Sequence, residues 1–162
     1  MKLCIRYKKL HPDAVIPTSA HGGKYPDSGY DLFSIKEVVV NPHSSEVIPT
    51  GIAIELPKPD RAWVEGVGWL NMKYEAQIRP RSSHRLYHNL VVSLGTIDCG
   101  YRGDVGVIVH NQSNDVPYVV KKGEKIAQLV IGMNPEVEWL KTDGELASTS
   151  RGQDGFGSTG NA

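Results

Sequence analysis

Short apolar runs recur at close intervals along the chain, and they alternate with polar residues or run β-branched instead of repeating every three or four positions. That pattern predicts strands at Lys2–Tyr7, Glu37–Val40, Glu46–Ile48, Gly51–Leu56, Glu75–Arg79, Leu90–Leu94, Val105–His110, Tyr118–Lys121, Ile126–Gly132 and Val137–Lys141. Asn41-Pro42, Asn134-Pro135 and Lys122-Gly123 supply the turn chemistry between them. An all-β sandwich or jelly-roll-like barrel suits the spacing. One short helix is predicted, Ser82–Asn89, with Ser82 or Ser83 as its cap. Two segments break the rhythm. Residues 57–74 hold Trp63, Trp69, Gly66 and Gly68 and read as a hairpin or lobe inserted into a barrel domain spanning 1–141. Residues 142–162 keep only Leu146, Ala147, Phe156 and Ala162 as apolar side chains, too few to bury, so a flexible Gly-rich C-terminal arm is expected.

Composition narrows the function. The 162 residues carry 18 Lys+Arg and 18 Asp+Glu, a formal net charge of zero, with 40% hydrophobic and 22% charged residues. This is an ordinary globular balance. No global basic excess exists to displace counterions from duplex DNA, so stable nucleic acid binding is not expected and any phosphate binding must be organised locally. No run reaches the roughly 18 apolar residues of a membrane span, and MKLCIRYKKL lacks the apolar region of a secretory signal. A cytoplasmic protein is expected. Cys4 and Cys99 are the only cysteines, which excludes a disulfide framework and a four-cysteine zinc site.

Several motifs could carry chemistry. Gly155-Phe156-Gly157-Ser158-Thr159-Gly160 satisfies G-x-G-x-x-G, yet no strand precedes it and no helix follows it, so a dinucleotide site is rejected. The same segment can expose successive N–H groups to an anion, with Arg151 as a planar fork and Phe156 as a stacking face; a solvated tail is the plainer reading. Arg79-Pro80-Arg81-Ser82-Ser83 lies at a strand end and opens the short helix, where hydroxyls and N–H groups can meet an anion or simply cap the helix. In Gly95-Thr96-Ile97-Asp98-Cys99-Gly100-Tyr101-Arg102-Gly103-Asp104, the glycines permit a tight β-hairpin from which Asp98 and Tyr101 project. Asp98 there could deprotonate a water, or could be a turn residue bonding its own backbone. Asp31 could help to hold Mg²⁺ or serve a turn. His84 and His88 have the i, i+4 spacing of zinc-binding pairs but lack a third ligand. The sequon Asn111-Gln112-Ser113 matters only in a secreted protein.

The order of DSGYDL, RPRSS, GTIDCGYRGD, GEKIAQL and RGQDGFGSTG resembles the five motifs of the trimeric dUTP diphosphatases, over nearly the whole chain outside 57–74. The resemblance implies an all-β, dUTPase-like β-barrel of the jelly-roll, β-clip type that assembles as a homotrimer, with each active site closed by a C-terminal arm. The implied reaction is hydrolysis of dUTP to dUMP and pyrophosphate with Mg²⁺, which keeps uracil out of DNA and supplies dUMP for thymidylate synthesis. By the same match Asp98 is the base that activates water for attack on the α-phosphorus. Tyr101 lies beneath the deoxyribose, and the backbone of Gly95, Thr96, Ile97, Asp98 and Tyr101, on to Gly106, pairs with uracil. Arg81, Ser82 and Ser83 hold phosphates, Gln128 positions the α-phosphate and the water, and Arg151 binds the γ-phosphate. Phe156 stacks on the base with Gly157 and Ser158 beside it, and Asp31 reaches Mg²⁺ through water. Compartment follows origin: cytoplasm, or host cytoplasm for a phage-encoded chain.

Departures from the pattern are Ser83-His84-Arg85, Ser28, Cys99-Gly100 and the long 57–74 lobe, whose two Trp could meet another protein or pack on the barrel. A dCTP deaminase shares fold and Arg-Ser-Ser segment but needs a glutamate near Ile108, where Val105–Val109 has none. A nucleotide-binding regulatory protein that uses the lobe as a partner surface is the rival of a different class.

Overall fold

A computed structural model describes residues 3–83 and 88–152. The chain order is β1 (Arg6–Lys9), β2 (Gly29–Phe33), β3 (Val38–Val40), β4 (Ser45–Ile48), β5 (Ile52–Glu55), β6 (Asp60–Val64), β7 (Gly68–Arg79), β8 (Leu90–Val92), β9 (Gly95–Asp98), β10 (Val107–Asn111), β11 (Tyr118–Val120) and β12 (Lys125–Pro135). The pairs are antiparallel and form four sheets: β2-β12-β7-β6 with β9 on β7, β4-β10-β8, β1-β5 and β3-β11. The expected all-β fold is present. Helical backbone is confined, among the described residues, to Ser82, Ser83 and His88; residues 84–87 of the expected helix, His84 and Arg85 among them, lie outside the described residues, and Asn89, at φ 54°, is not helical.

Alternation decides which side chains enter the core. On β10, Val107, Val109 and Asn111 are buried and Ile108 is exposed. On β7, Met72, Ala76 and Ile78 point inward, so Asn71, Lys73, Glu75, Gln77 and Arg79 share the outer face. The inward sets of different sheets meet in one core around Leu32, Ile48, Ile52, Leu90 and Ile126, each at most 1% exposed. Burying each such side chain stabilises the fold by about 1.5–3 kcal/mol. Asn111 enters that core fully satisfied: its Nδ2 donates to the Val40 and Val116 carbonyls (3.0 and 2.9 Å), and its Oδ1 accepts from the Ser113 N–H (2.9 Å). A glycan has no access there.

The structure corrects several expectations. β1 begins four residues later than Lys2, and two strands arise in DSGYDL and GTID, segments read as turn and loop. Val137–Lys141 forms no strand, and Trp139 is 91% exposed: the alternating pattern pairs with no sheet edge among the described residues. Residues 57–74 build a hairpin in which β6 and the first half of β7 pair, with Trp63 directly opposite Trp69. Their rings meet edge to face at 5.9 Å and both stay more than half exposed, so this pair does not pack on the barrel.

Candidate active site

Two groups of predicted residues stand on the outer face of the β9-β7-β12-β2 sheet. The first is a charged corner. Register places Gln128 of β12 between Asp31 of β2 and Arg79 of β7. Pro80 then ends β7, since it has no N–H for the ladder, and the chain turns into Ser82 and Ser83. Its carbonyl accepts from Gln128 Nε2 at 3.0 Å. Asp31, with its side chain only 12% exposed, pairs through Oδ1 with Arg81 Nε at 3.2 Å and through Oδ2 with Lys125 Nζ at 2.8 Å. Arg81 Nη1 also donates to the Lys125 carbonyl at 3.2 Å. Arg81, Ser82, Ser83, Gln128 and Asp31 therefore converge. Two cations sharing one carboxylate leave local positive charge beside two serine hydroxyls, a setting for phosphate oxygens.

The second group is the Asp98 turn. β9 pairs only with β7, opposite Ile78, Ala76 and their neighbours, and its other edge is open among the described residues. The chain does not fold into the expected β-hairpin, because β10 pairs with β4 and β8 instead. A turn replaces it, closed by the Tyr101 N–H donating to the Asp98 carbonyl at 3.0 Å. Tyr101 Oη donates to the Asp104 carbonyl at 3.0 Å, and the ring lies over Gly103, where an added Cβ would sit 2.6 Å from Tyr101 Cζ. Asp104 secures the far side: Thr50 Oγ1 and the Ile52 N–H donate to its Oδ1 at 3.0 and 3.2 Å. Gly106 leaves room for Val47, whose Cγ1 would stand 2.9 Å from an added Cβ. Asp98 itself is exposed.

The two groups do not meet in one chain. Asp98 stands opposite Glu75 and Gln128 opposite Arg79, four positions along β7, or about 13 Å at the rise of a strand. Among the described residues no hydrogen bond or ion pair joins them. A polar row fills the interval: Arg79 Nε and Nη2 donate to Gln77 Oε1 at 3.0 and 2.6 Å, and Gln77 Nε2 donates to Glu75 Oε1. Donation from Gln77 first, and from Asn134, holds the Glu75 carboxyl below its ordinary range despite some desolvation. Sequence reasoning missed this row, and it missed Lys125 and Asp104. The outward alternation of Glu75, Gln77 and Arg79 was the available signal for the row.

Arg151 is exposed near the end of the described chain, and Phe156, Gly157, Ser158 and the glycine motif at 155–160 lie outside the described residues. His88 has its ring 5.0 Å from that of Tyr118. No cluster of three or more His, Cys, Asp or Glu that could cage a metal occurs among the described residues. Likewise, no helix among the described residues is long and apolar enough to cross a membrane.

A family profile described as dUTPase matches residues 67–160. The deoxyuridine 5'-triphosphate nucleotidohydrolase of Clostridium novyi (strain NT) is 43% identical over 164 residues, covering 99% of this chain and 99% of its own. The solved structure of the Staphylococcus bacteriophage 80alpha dUTPase with dUPNHPP has a TM-score of 0.80 at 27% identity, over 98% of this chain and 99% of that one; its description says that phage dUTPases control transfer of virulence genes. A dUTPase of phage phi11 of S. aureus shares the fold, with a TM-score of 0.73 at 24% identity over 89% of this chain and 99% of that one, and its description names a structural Mg(II) ion. Fold and matches together define a jelly-roll nucleotide hydrolase. The chain belongs to the dUTPase family, enzymes named for hydrolysing deoxyuridine 5'-triphosphate.

Proposed function

We propose that the protein hydrolyses dUTP to dUMP and pyrophosphate at sites shared between copies of the chain in a homotrimer. The observation that supports this reading is the separation of Asp98, which is exposed, from the half-buried Arg81 and Gln128 corner four positions away along β7. A second copy brings its Asp98 to this chain's corner. An apolar groove of about 870 Å³, lined by Leu3, Ile16, Tyr30, Ile131 and Met133 among others, is surface that a neighbouring copy would cover.

Asp98 takes a proton from water as the oxygen attacks the α-phosphorus. The bond from that phosphorus to the bridging oxygen breaks, and pyrophosphate carries away the electron pair. Gln128 orients the α-phosphate and the water, while Arg81, Ser82, Ser83 and Arg151 bind the phosphate chain. Asp31 would face a Mg²⁺ ion through water, and that ion would supply charge neutralisation for the phosphate chain. The open edge of β9 pairs with uracil, so a wrong base leaves polar groups unpaired. Tyr101, fixed by Asp104 and Gly103, closes the space a 2′-hydroxyl needs. Phe156, with Gly157 and Ser158, covers the base as the arm arrives and excludes solvent.

Mixing two inactive variants tests the shared site. Asp98→Asn and Gln128→Leu trimers, unfolded and refolded together, should regain dUTP turnover that neither shows alone; no recovery would sink the shared-site reading. A nucleotide panel should show dUTP consumed and dTTP, dCTP and UTP largely spared.

A second reading rests on the exposed Trp63 and Trp69 pair, with Arg61 5.8 Å from the Trp69 ring, and on the regulatory role named for the phage relative. Here the β6–β7 hairpin is a contact surface for another protein in addition to catalysis. Replacing the hairpin by a short turn should then spare turnover, and a large loss of rate would bind the hairpin to the chemistry instead.

A further inference from the structure

Gly29 opens β2 opposite Val130, two register positions from the pair Asp31 and Gln128 and on the same face of the sheet. Its φ is not positive, so its backbone can accept any residue. Its contacts are another matter. A Cβ at Gly29 would sit 2.1 Å from Gln128 Oε1, 2.9 Å from Gln128 Cδ and 3.1 Å from Gln128 Cβ. The Gln128 side chain thus leans diagonally across the sheet into space that any side chain at position 29 would fill. Its Nε2 is held at the opposite end by the Pro80 carbonyl at 3.0 Å. One seat and one hydrogen bond fix the terminal amide.

We infer that Gly29 is a positioning residue for dUTP hydrolysis: the seat left by its missing side chain sets the rotamer of Gln128 and so the placement of the α-phosphate and the water. The inference rests on the proposed role of Gln128. It separates two costs that usually travel together. The group in the way is chiefly the far end of a flexible side chain, so the fold can yield by rotating Gln128 outward at little expense. Catalysis cannot, because a displacement of about 1 Å at a positioning group can cost about 100-fold in rate. Asp31, two residues on and facing the same side, holds Arg81 by charge, so β2 seats both phosphate-facing side chains by different means.

The test uses the full-length protein and the variants Gly29→Ala, Gln128→Ala and the double variant, with kcat, KM for dUTP and thermal midpoint measured for each. Gly29→Ala should lose about 100-fold in kcat, with KM and midpoint close to the parent. The double variant should match Gln128→Ala in kcat, because Gly29 acts only through a side chain already removed. Parental kcat in Gly29→Ala overturns the inference, and so does a double variant much slower than Gln128→Ala. If Gly29→Ala folds poorly, recovery of the midpoint in the double variant still supports steric conflict with Gln128, and failure to recover refutes it. Parental kcat in Gln128→Ala would instead remove the proposed role of Gln128, a separate failure.

Discussion

The charged corner and the Asp98 turn lie on one sheet face and are held in unlike ways. Asp31 fixes the corner through ion pairs to Arg81 and Lys125, with side chains 12% to 42% exposed. The turn is fixed by backbone and steric devices: the Tyr101 N–H to the Asp98 carbonyl, the Tyr101 ring over Gly103, and Asp104 bound to Thr50 and Ile52. In the proposed mechanism, charge holds the groups assigned to the phosphate chain, and steric fit holds those assigned to the base and the sugar. Ionic strength and charge-neutral substitutions should therefore strike the corner, while added volume should strike the turn.

The largest effect tests the turn's reacting group. Asp98→Asn should lower kcat about 1000-fold while a non-hydrolysable dUTP analogue still binds, measured by single turnover and calorimetry. A fully active variant would remove the base from the mechanism. Next comes the corner: Asp31→Asn leaves Arg81 and Lys125 facing each other without their shared anion, and KM for dUTP should rise on the order of 30-fold, equivalent to about 2 kcal/mol. The preference for dUTP over UTP should not change in that variant. Gly103→Ala should do the reverse, relaxing the preference about tenfold, roughly 1.4 kcal/mol, by pushing Tyr101 off its place. If both variants altered KM and preference alike, the two regions would not be separately held. Raising salt from 0.05 to 0.5 M should increase KM about threefold in the parent and leave sugar discrimination untouched, since screening acts on the corner.

The smallest effect concerns the row between them. The Glu75 carboxyl lies below its ordinary value of 4.5. A lowered folded-state value means that its stabilising contribution is complete above the ordinary value and is lost as pH falls through the lowered one. Thermal midpoints of the parent should therefore decline more steeply below about pH 4.5 than those of Glu75→Gln.

Most strands were legible because alternation and β-branching are local properties. Strands β2 and β9 were not, for a shared reason: each begins with a glycine that makes room for a neighbour, Gly29 for Gln128 and Gly95 for Ile78, and locally such glycines resemble turn residues. Val137–Lys141 failed in the opposite sense. Its pattern suits a strand, but a strand also requires an edge to pair with, and among the described residues no edge takes it. At the site, the motifs singled out Arg81, Gln128, Asp98 and Tyr101 as candidates for chemistry. What holds them was hidden, since Lys125 reaches Asp31 and Asp104 reaches Thr50 across long stretches of chain.

All three tryptophans of the protein are exposed, Trp63 at 63%, Trp69 at 58% and Trp139 at 91%, while the core is built from aliphatic side chains. Intrinsic fluorescence therefore originates outside the packed interior. Melting the barrel should change the emission colour little, whereas anything that covers the hairpin or the segment after β12 should shift it toward the blue. The molecule carries an optical reporter for contact and almost none for folding.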